Sequence, residues 1–179
     1  MAVMACAVPG IPMITSGDDL VAVIAPRLNT VQWPDGYIGL RGDDVVVLCG
    51  KILAKAQGRW CARGKCESGF RSRAGLPEKL DLQAPVEVAA AAGQIRRGLA
   101  ARFGGRPGVV ITASASEKIS DQGAAPDRAI AVAGVDWGSE SGDAVAHAIA
   151  ALAGLVAQSN PNCPVVVVRG LPDILTWED

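Results

Sequence analysis

The sequence predicts an α/β fold of mixed α+β type, a buried sheet with amphipathic helices packed on it. Three observations carry that expectation. Apolar, largely β-branched runs at residues 45–49, 108–112 and 165–168 have the length and composition of strands buried on both faces. Segments 86–102 and 143–158 instead repeat apolar residues at helical spacing. Half of the 179 residues are apolar but only 4% are aromatic, so the core must be built from Ala, Val, Leu and Ile. There is no internal repeat and no low-complexity segment, and the length suits a single domain, residues 1–179, able to bury a real core.

The elements follow in chain order. Gly10-Ile11-Pro12 and Ile14 read as a short strand or extended lead-in, because Pro12 fixes its own φ and biases Ile11 toward extended backbone. Ser16-Gly17-Asp18-Asp19 supplies N-cap chemistry for a short apolar helix over residues 20–25, ahead of Pro26. Pro34-Asp35-Gly36 signals a turn. Gly42-Asp43-Asp44 then leads into the strand 45–49, and Gly50, Lys51 and Lys55 follow on one helical turn before Gly58 stops it. Two ammonium groups just past a buried strand either hold an anionic group, since open α/β sheets place ligands at strand ends, or are solvated.

Residues 60–84 read as a flexible basic loop, with Arg63, Lys65, Arg71, Arg73 and Lys79 among glycines, Ser68 and Ser72. Pro85 opens the next helix, whose apolar positions are Val88, Ala92, Ile95, Leu99 and Phe103, with Arg96, Arg97 and Arg102 off that stripe; Gly104-Gly105 closes it. The strand 108–112 runs into Ala113-Ser114-Ala115-Ser116-Glu117, a small-residue loop that allows close backbone approach to a ligand. Residues 128–134 are a strand or a helix turn. Ser141 or Gly142 caps a helix over 143–158, with Val145, Ile149, Leu152 and Val156 as its apolar face and His147 off it as a surface or polar-contact residue. The strand 165–168 ends at Arg169-Gly170, ahead of a short tail with Trp177.

Charge and cysteine content narrow the function. Seventeen basic and eighteen acidic residues, net −1, give no field for steering nucleic acid or an anionic membrane, and the basic loop has Phe70 alone as an aromatic, so neither is an expected partner. No apolar run spans a bilayer and the first residues lack a basic leader, which leads to the expectation of a soluble, cytoplasmic protein. Cys49 and Cys163 adjoin Val-rich strands as small core residues, and Cys61 with Cys66 has the spacing of half a zinc site without a second half. With His147 as the only histidine and no nucleophile motif near it, nucleophilic hydrolysis is discounted. The common P-loop, dinucleotide and HExxH motifs are absent.

Several segments taken together resemble a known family. Gly10-Ile11-Pro12, Gly17-Asp18-Asp19-Leu20 and the Val-rich strand running into Lys51-Ile52-Leu53-Ala54-Lys55-Ala56-Gln57-Gly58-Arg59 are similar to the amino-terminal part of the coenzyme factor 420 γ-glutamyl ligase family. Gln94-Ile95-Arg96-Arg97, Val109-Val110-Ile111-Thr112, Asp127-Arg128-Ala129-Ile130-Ala131-Val132-Ala133-Gly134 and Pro164-Val165-Val166-Val167-Val168-Arg169-Gly170-Leu171 continue the likeness in the same order. The resemblance implies a homodimeric ligase of mixed α/β fold that uses GTP and Mn or Mg to join glutamate to a deazaflavin precursor. Its candidate nucleotide or substrate contacts here are Asp18, Asp19, Lys51, Lys55 and Arg169, with Asp127 a candidate metal ligand. The chain departs from the pattern at the family's central Cys-Ala-Asn-Ala-Gly-Val-Asp segment, whose place residues 60–84 take. It departs again at Ala113-Ser114, where the family has an acidic ligand, and at His147-Ala148, where it has an Asp-Glu pair. The catalytic residues are therefore not assigned. Two functions are expected: a ligase-like enzyme with a rearranged site, or an inactive paralogue that dimerises, regulates or binds a small ligand.

Overall fold

The computed structural model describes residues 2–66, 77–113, 127–136 and 140–177. The chain runs β1 (Met4–Ala7), α1 (Leu20–Leu28), β2 (Val45–Cys49), α2 (Gly50–Ala56), β3 (Trp60–Ala62), β4 (Leu80–Leu82), α3 (Val88–Phe103), β5 (Gly108–Ala113), β6 (Arg128–Ala133), α4 (Glu140–Gln158) and β7 (Val165–Arg169), then a single turn of 3-10 helix at Pro172–Ile174. Five strands form one sheet in the order β1-β7-β2-β5-β6. Only β2 and β5 are parallel; β1, β7 and β6 pair antiparallel with their neighbours. This is the mixed α+β architecture that the alternating patterns predict.

The central strands read as unbroken apolar runs because both faces are covered. Val46, Leu48, Val109, Ile111, Val165 and Val167 pack with α1, α2 and α3 on one side. Val45, Val47, Val110, Val166 and Val168 pack with α4 on the other. A β-bulge where Ile111 pairs with Ala131 and Thr112 with Ala129 leaves Ile130 as the extra residue. The bulge turns Ala129 toward the α4 side, whereas Ala131 and Ala133 join the opposite core.

Several boundaries differ from the sequence expectation, each for a tertiary reason. Strand β1, unpredicted at the amino terminus, exists because β7 offers it an edge, with Cys6 opposite Val167. Residues 11–15 join no strand. Helix α1 continues through Pro26 to Leu28; the missing backbone donor is offset by complete burial of Leu28. The stretch read as a loop over 60–84 carries a small ribbon at its ends, β3 paired with β4. Segment 128–134 resolves as strand β6. Helix α4 starts at Glu140, so Gly142 lies inside its first turn instead of capping it, and is buried there. Its innermost residues are Ala146, Ile149, Ala150 and Ala153. Alanine lets the helix approach the sheet closely, which rotates the buried stripe away from the larger Val145, Leu152 and Val156.

Arg96, expected off the apolar stripe of α3, is buried and donates to the carbonyls of Pro107, Thr176 and Trp177, fastening the carboxy-terminal tail. A second buried arginine ties the sheet. Arg169, at the end of β7, donates through Nε and Nη2 to the two oxygens of Asp44, both at 2.7 Å. Its guanidinium carbon lies 3.7 Å from the ring centre of Trp33, and Nη2 also reaches the Gly39 carbonyl. Asp44 is fully buried and also accepts the Arg41 N–H at 2.7 Å. Burial by itself lowers the Arg169 pKa, but hydrogen bonding and charge from Asp44 overcome it and raise the value. Removing one partner of a buried pair leaves the other charge uncompensated. Arg169→Ala and Asp44→Ala are each therefore expected to destabilise the fold by about 3–5 kcal/mol, read from chemical denaturation midpoints, whereas Arg41→Ala at the exposed Asp35 pair changes stability by less than about 1 kcal/mol.

Candidate anion-binding site

The carboxyl end of β2 and the start of β7 meet at one edge of the sheet. The Cys49 N–H donates to the Pro164 carbonyl at 2.9 Å, which holds the segment before β7 against the β2–α2 junction. On the other side of β2, Cys49 pairs with Thr112 of β5. The chain turns from strand directly into helix at Gly50, where a Cβ would sit 2.8 Å from the Thr112 carbonyl oxygen. Only glycine allows that approach without displacing backbone. The result is a hollow in two adjoining lobes that share Cys49, Lys51, Cys163 and Pro164.

One lobe, about 380 Å³, is lined by Ile11, Pro12, Met13, Lys51 and Lys55. Lys51 is half-buried, while Lys55, one helical turn on, is only 9% exposed. The Lys55 ammonium donates to Met13 Sδ at 3.3 Å. A thioether is a weak acceptor, and no carboxylate lies within ion-pair distance of Lys55 among the described residues. Burial lowers the Lys55 pKa first, and the Lys51 charge lowers it further, against a smaller opposing effect of Cys49. The hollow therefore contains a buried cation without an anionic partner among the described residues, with a second cation beside it.

The other lobe, about 360 Å³, contains Asp127 and Thr112. The Asp127 side chain passes over α4 at Gly154, where a Cβ would lie 3.2 Å from its carboxylate. Burial raises the Cys49 thiol pKa, and Asp127 raises it too, outweighing the Lys51 amide and the two lysine charges. Cys49 and Cys163 are half-buried lining residues, not the core residues expected, because they sit at strand ends where the sheet stops being covered.

The other predicted residues fall elsewhere. Asp18 Oδ2 accepts the Thr15 N–H at 2.7 Å, and Asp19 Oδ1 caps α1 by accepting from Val21 and Ala22. Both lie on a separate cleft of about 590 Å³ between α1, α2 and α3. That cleft is larger than either lobe, but its one cation, Arg102, is exposed, so the hollow with the buried Lys55 is the stronger binding candidate. Arg169 is committed to Asp44 and Trp33 at the opposite end of β7. His147 is the polar-contact residue expected, its Nδ1 accepting the Ala129 N–H at 3.2 Å. Cys61 and Cys66 do not form half a zinc site; they close on each other as a disulfide, Cα atoms 5.7 Å apart. The loop readings at Ser68, Phe70, Arg71, Ser72 and Arg73 and at Ser114, Ser116 and Glu117 lie outside the described residues. Sequence reasoning missed Met13, although Gly10-Ile11-Pro12 just before it was a visible signal.

A divalent ion needs several converging oxygen, nitrogen or sulfur donors. Among the described residues no group of three His, Cys, Asp or Glu side chains comes together, and Asp127 is the one carboxylate of the hollow. Among the described residues the donor set there does not fit a metal.

The electrostatics of Lys55 are testable as stability. Its folded-state pKa lies below the ordinary 10.5, so the unfolded chain binds more protons between the two values and this position's contribution improves as pH rises through that window. Lys55→Met keeps the stem and removes the charge. It is expected to raise the thermal midpoint at neutral pH, with a gain that shrinks as pH approaches 10.5; a midpoint lowered at neutral pH would mean that the ammonium is compensated after all.

Both lysines, though not the Asp127 or Cys163 side of the hollow, fall within a segment, residues 10–74, that matches the model of the F420-0:Gamma-glutamyl ligase family; the match ends ahead of α3 and covers about a third of the chain.

Proposed function

We propose that the chain is a γ-glutamyl ligase-like protein that binds a phosphate-bearing ligand, GTP first among them, in the hollow at Lys51 and Lys55. The carrying observation is the buried Lys55 ammonium, which meets no carboxylate among the described residues, beside Lys51 at the end of a central strand. Two cations in a partly desolvated hollow neutralise phosphate oxygens through charge-assisted hydrogen bonds, and the anion in turn relieves the mutual repulsion of the lysines. In the full reaction expected of the family, phosphoryl transfer activates a carboxylate for attack by an amine. Lys51 and Lys55 would supply the electrostatic part of that step.

The second reading is a paralogue that keeps the fold for dimerisation without ligation. It is favoured by the outward side of α4, where Ala144, Ala148 and Leu155 are exposed and no Asp, Glu, Lys or Arg occurs between Asp143 and Gln158. A helix face of that kind is suited to a second copy of the chain.

Calorimetric titration with GTP, with and without Mn or Mg, separates the two. Binding that saturates and weakens by about tenfold or more for each of Lys51→Ala and Lys55→Ala, as expected for loss of one hydrogen bond to a charged group, supports the first reading. Absence of GTP binding under every metal condition, together with a dimer that Leu155→Glu dissociates in sedimentation, establishes the second.

A further inference from the structure

Lys55 combines features that anion binding alone does not require. Its neighbour Lys51 is only half-buried, which suits a cation that meets an incoming anion. Lys55 is 9% exposed, its ammonium meets the exposed Met13, and the residue lines an open cavity of about 380 Å³, large enough for a small organic molecule. The charged and titratable groups around that cavity are Lys51 on the same helix, Cys49 at the end of β2 and Cys163 before β7; no carboxylate lines it among the described residues. Burial against an apolar lining with a neighbouring cation is the environment in which a lysine amine becomes a nucleophile, because both effects favour the neutral form.

We infer that Lys55 is an imine-forming amine: a small carbonyl compound carrying a carboxylate or phosphate enters the hollow, Lys51 holds its anionic end, and Lys55 Nζ condenses with its carbonyl carbon. The inference rests on the reading of this hollow as an anion site, since Lys51 must orient the ligand. In the step, the neutral amine adds through its lone pair to the carbonyl carbon. The nitrogen then gives up two protons in all and the former carbonyl oxygen leaves as water. The carbon–oxygen double bond is replaced by a carbon–nitrogen double bond, with no oxidation or reduction. The lowered pKa of Lys55 enlarges the fraction of amine able to begin the step near neutral pH.

Reductive trapping tests this directly. The full chain is incubated with glyoxylate, as the carboxylate probe, or with pyridoxal 5′-phosphate, as the phosphate probe. Borohydride then delivers hydride to the imine carbon, fixing a secondary amine whose position is read by peptide mass mapping. The exposed Lys65 and Lys79 serve as internal references. The expected result is labelling of Lys55 in excess over both references at neutral pH, since a lowered pKa enlarges the neutral fraction and Lys51 holds the anionic probe beside it. Lys51→Gln is expected to reduce Lys55 labelling by about tenfold through the lost ion pair, and Lys55→Arg to abolish the site's adduct while retaining the charge. A response to one probe alone identifies carboxylate or phosphate as the recognised anion. Labelling of Lys55 no greater than that of Lys65 and Lys79 overturns the inference, and that wild-type result stands even where a variant fails to fold. GTP binding without a Lys55 adduct removes the imine and keeps the nucleotide reading; a Lys55 adduct without GTP binding does the reverse.

Discussion

The buried contact between Asp44 and Arg169 is the constraint on which the arrangement of the sheet depends. Asp44 immediately precedes β2 and Arg169 ends β7, so the bidentate pair fixes where two antiparallel neighbours start and stop. Arg169 also lies opposite Met4, which carries the same constraint into β1. Around the pair, Trp33 covers the guanidinium face and donates its indole N–H to the Gly39 carbonyl, which Arg169 also contacts. A buried pair of this kind adds little net stability over apolar residues of the same shape, because desolvation offsets the Coulomb attraction. Its effect is registry: a slip of one residue would leave both charges buried without partners and turn every valine of β2 to the other face.

That registry sets the geometry of the candidate site at the far end of the same strands. With Val45 held opposite Val168, Leu48 falls opposite Val165 and Cys49 next to Pro164, which brings Cys163 and Lys51 to a common hollow. The parallel pairing of β2 with β5 places Thr112 against Gly50 from the other side. Strand β6 then begins beside the end of β5, and the bulge at Ile130 gives its first residues a different facing from the rest. Asp127, just ahead of β6, consequently lines the second lobe.

Local consistency breaks at one position in this edge, and the break coincides with the candidate site. Helix α2 turns Ile52 and Leu53 into the core, as an amphipathic helix should, yet buries Lys55 with them. Among the described residues no ion pair compensates it; a methionine sulfur is its hydrogen-bond acceptor. A fold built only for stability would place an apolar residue there. The burial of an amine at the mouth of a cavity makes its charge state responsive to whatever anion or carbonyl group arrives, which links the strain in the fold to its chemistry.

The sequence by itself determined the fold class and the central elements, because these are written in local periodicity. The Val-rich runs of β2, β5 and β7 and the helical spacing of α3 are each legible within a few residues. It also determined the Asp19 cap, the Gly58 stop and the adjacency of Lys51 to Lys55, which follow from backbone chemistry and helical geometry alone. Only the tertiary structure decided what those groups face. Arg169 and Lys55 look alike in sequence, each a cation beside an apolar run, but one meets Asp44 and Trp33 and the other meets Met13 and an open cavity. Strand β1 is as invisible locally, since its four residues become a strand only where β7 presents an unpaired edge. Asp18 and Asp127, both candidate ligands in sequence, are separated because their elements pack on different cavities. Periodicity encodes which face of an element is buried; partners that arrive from distant parts of the chain are fixed by strand order and registry, which no local pattern contains.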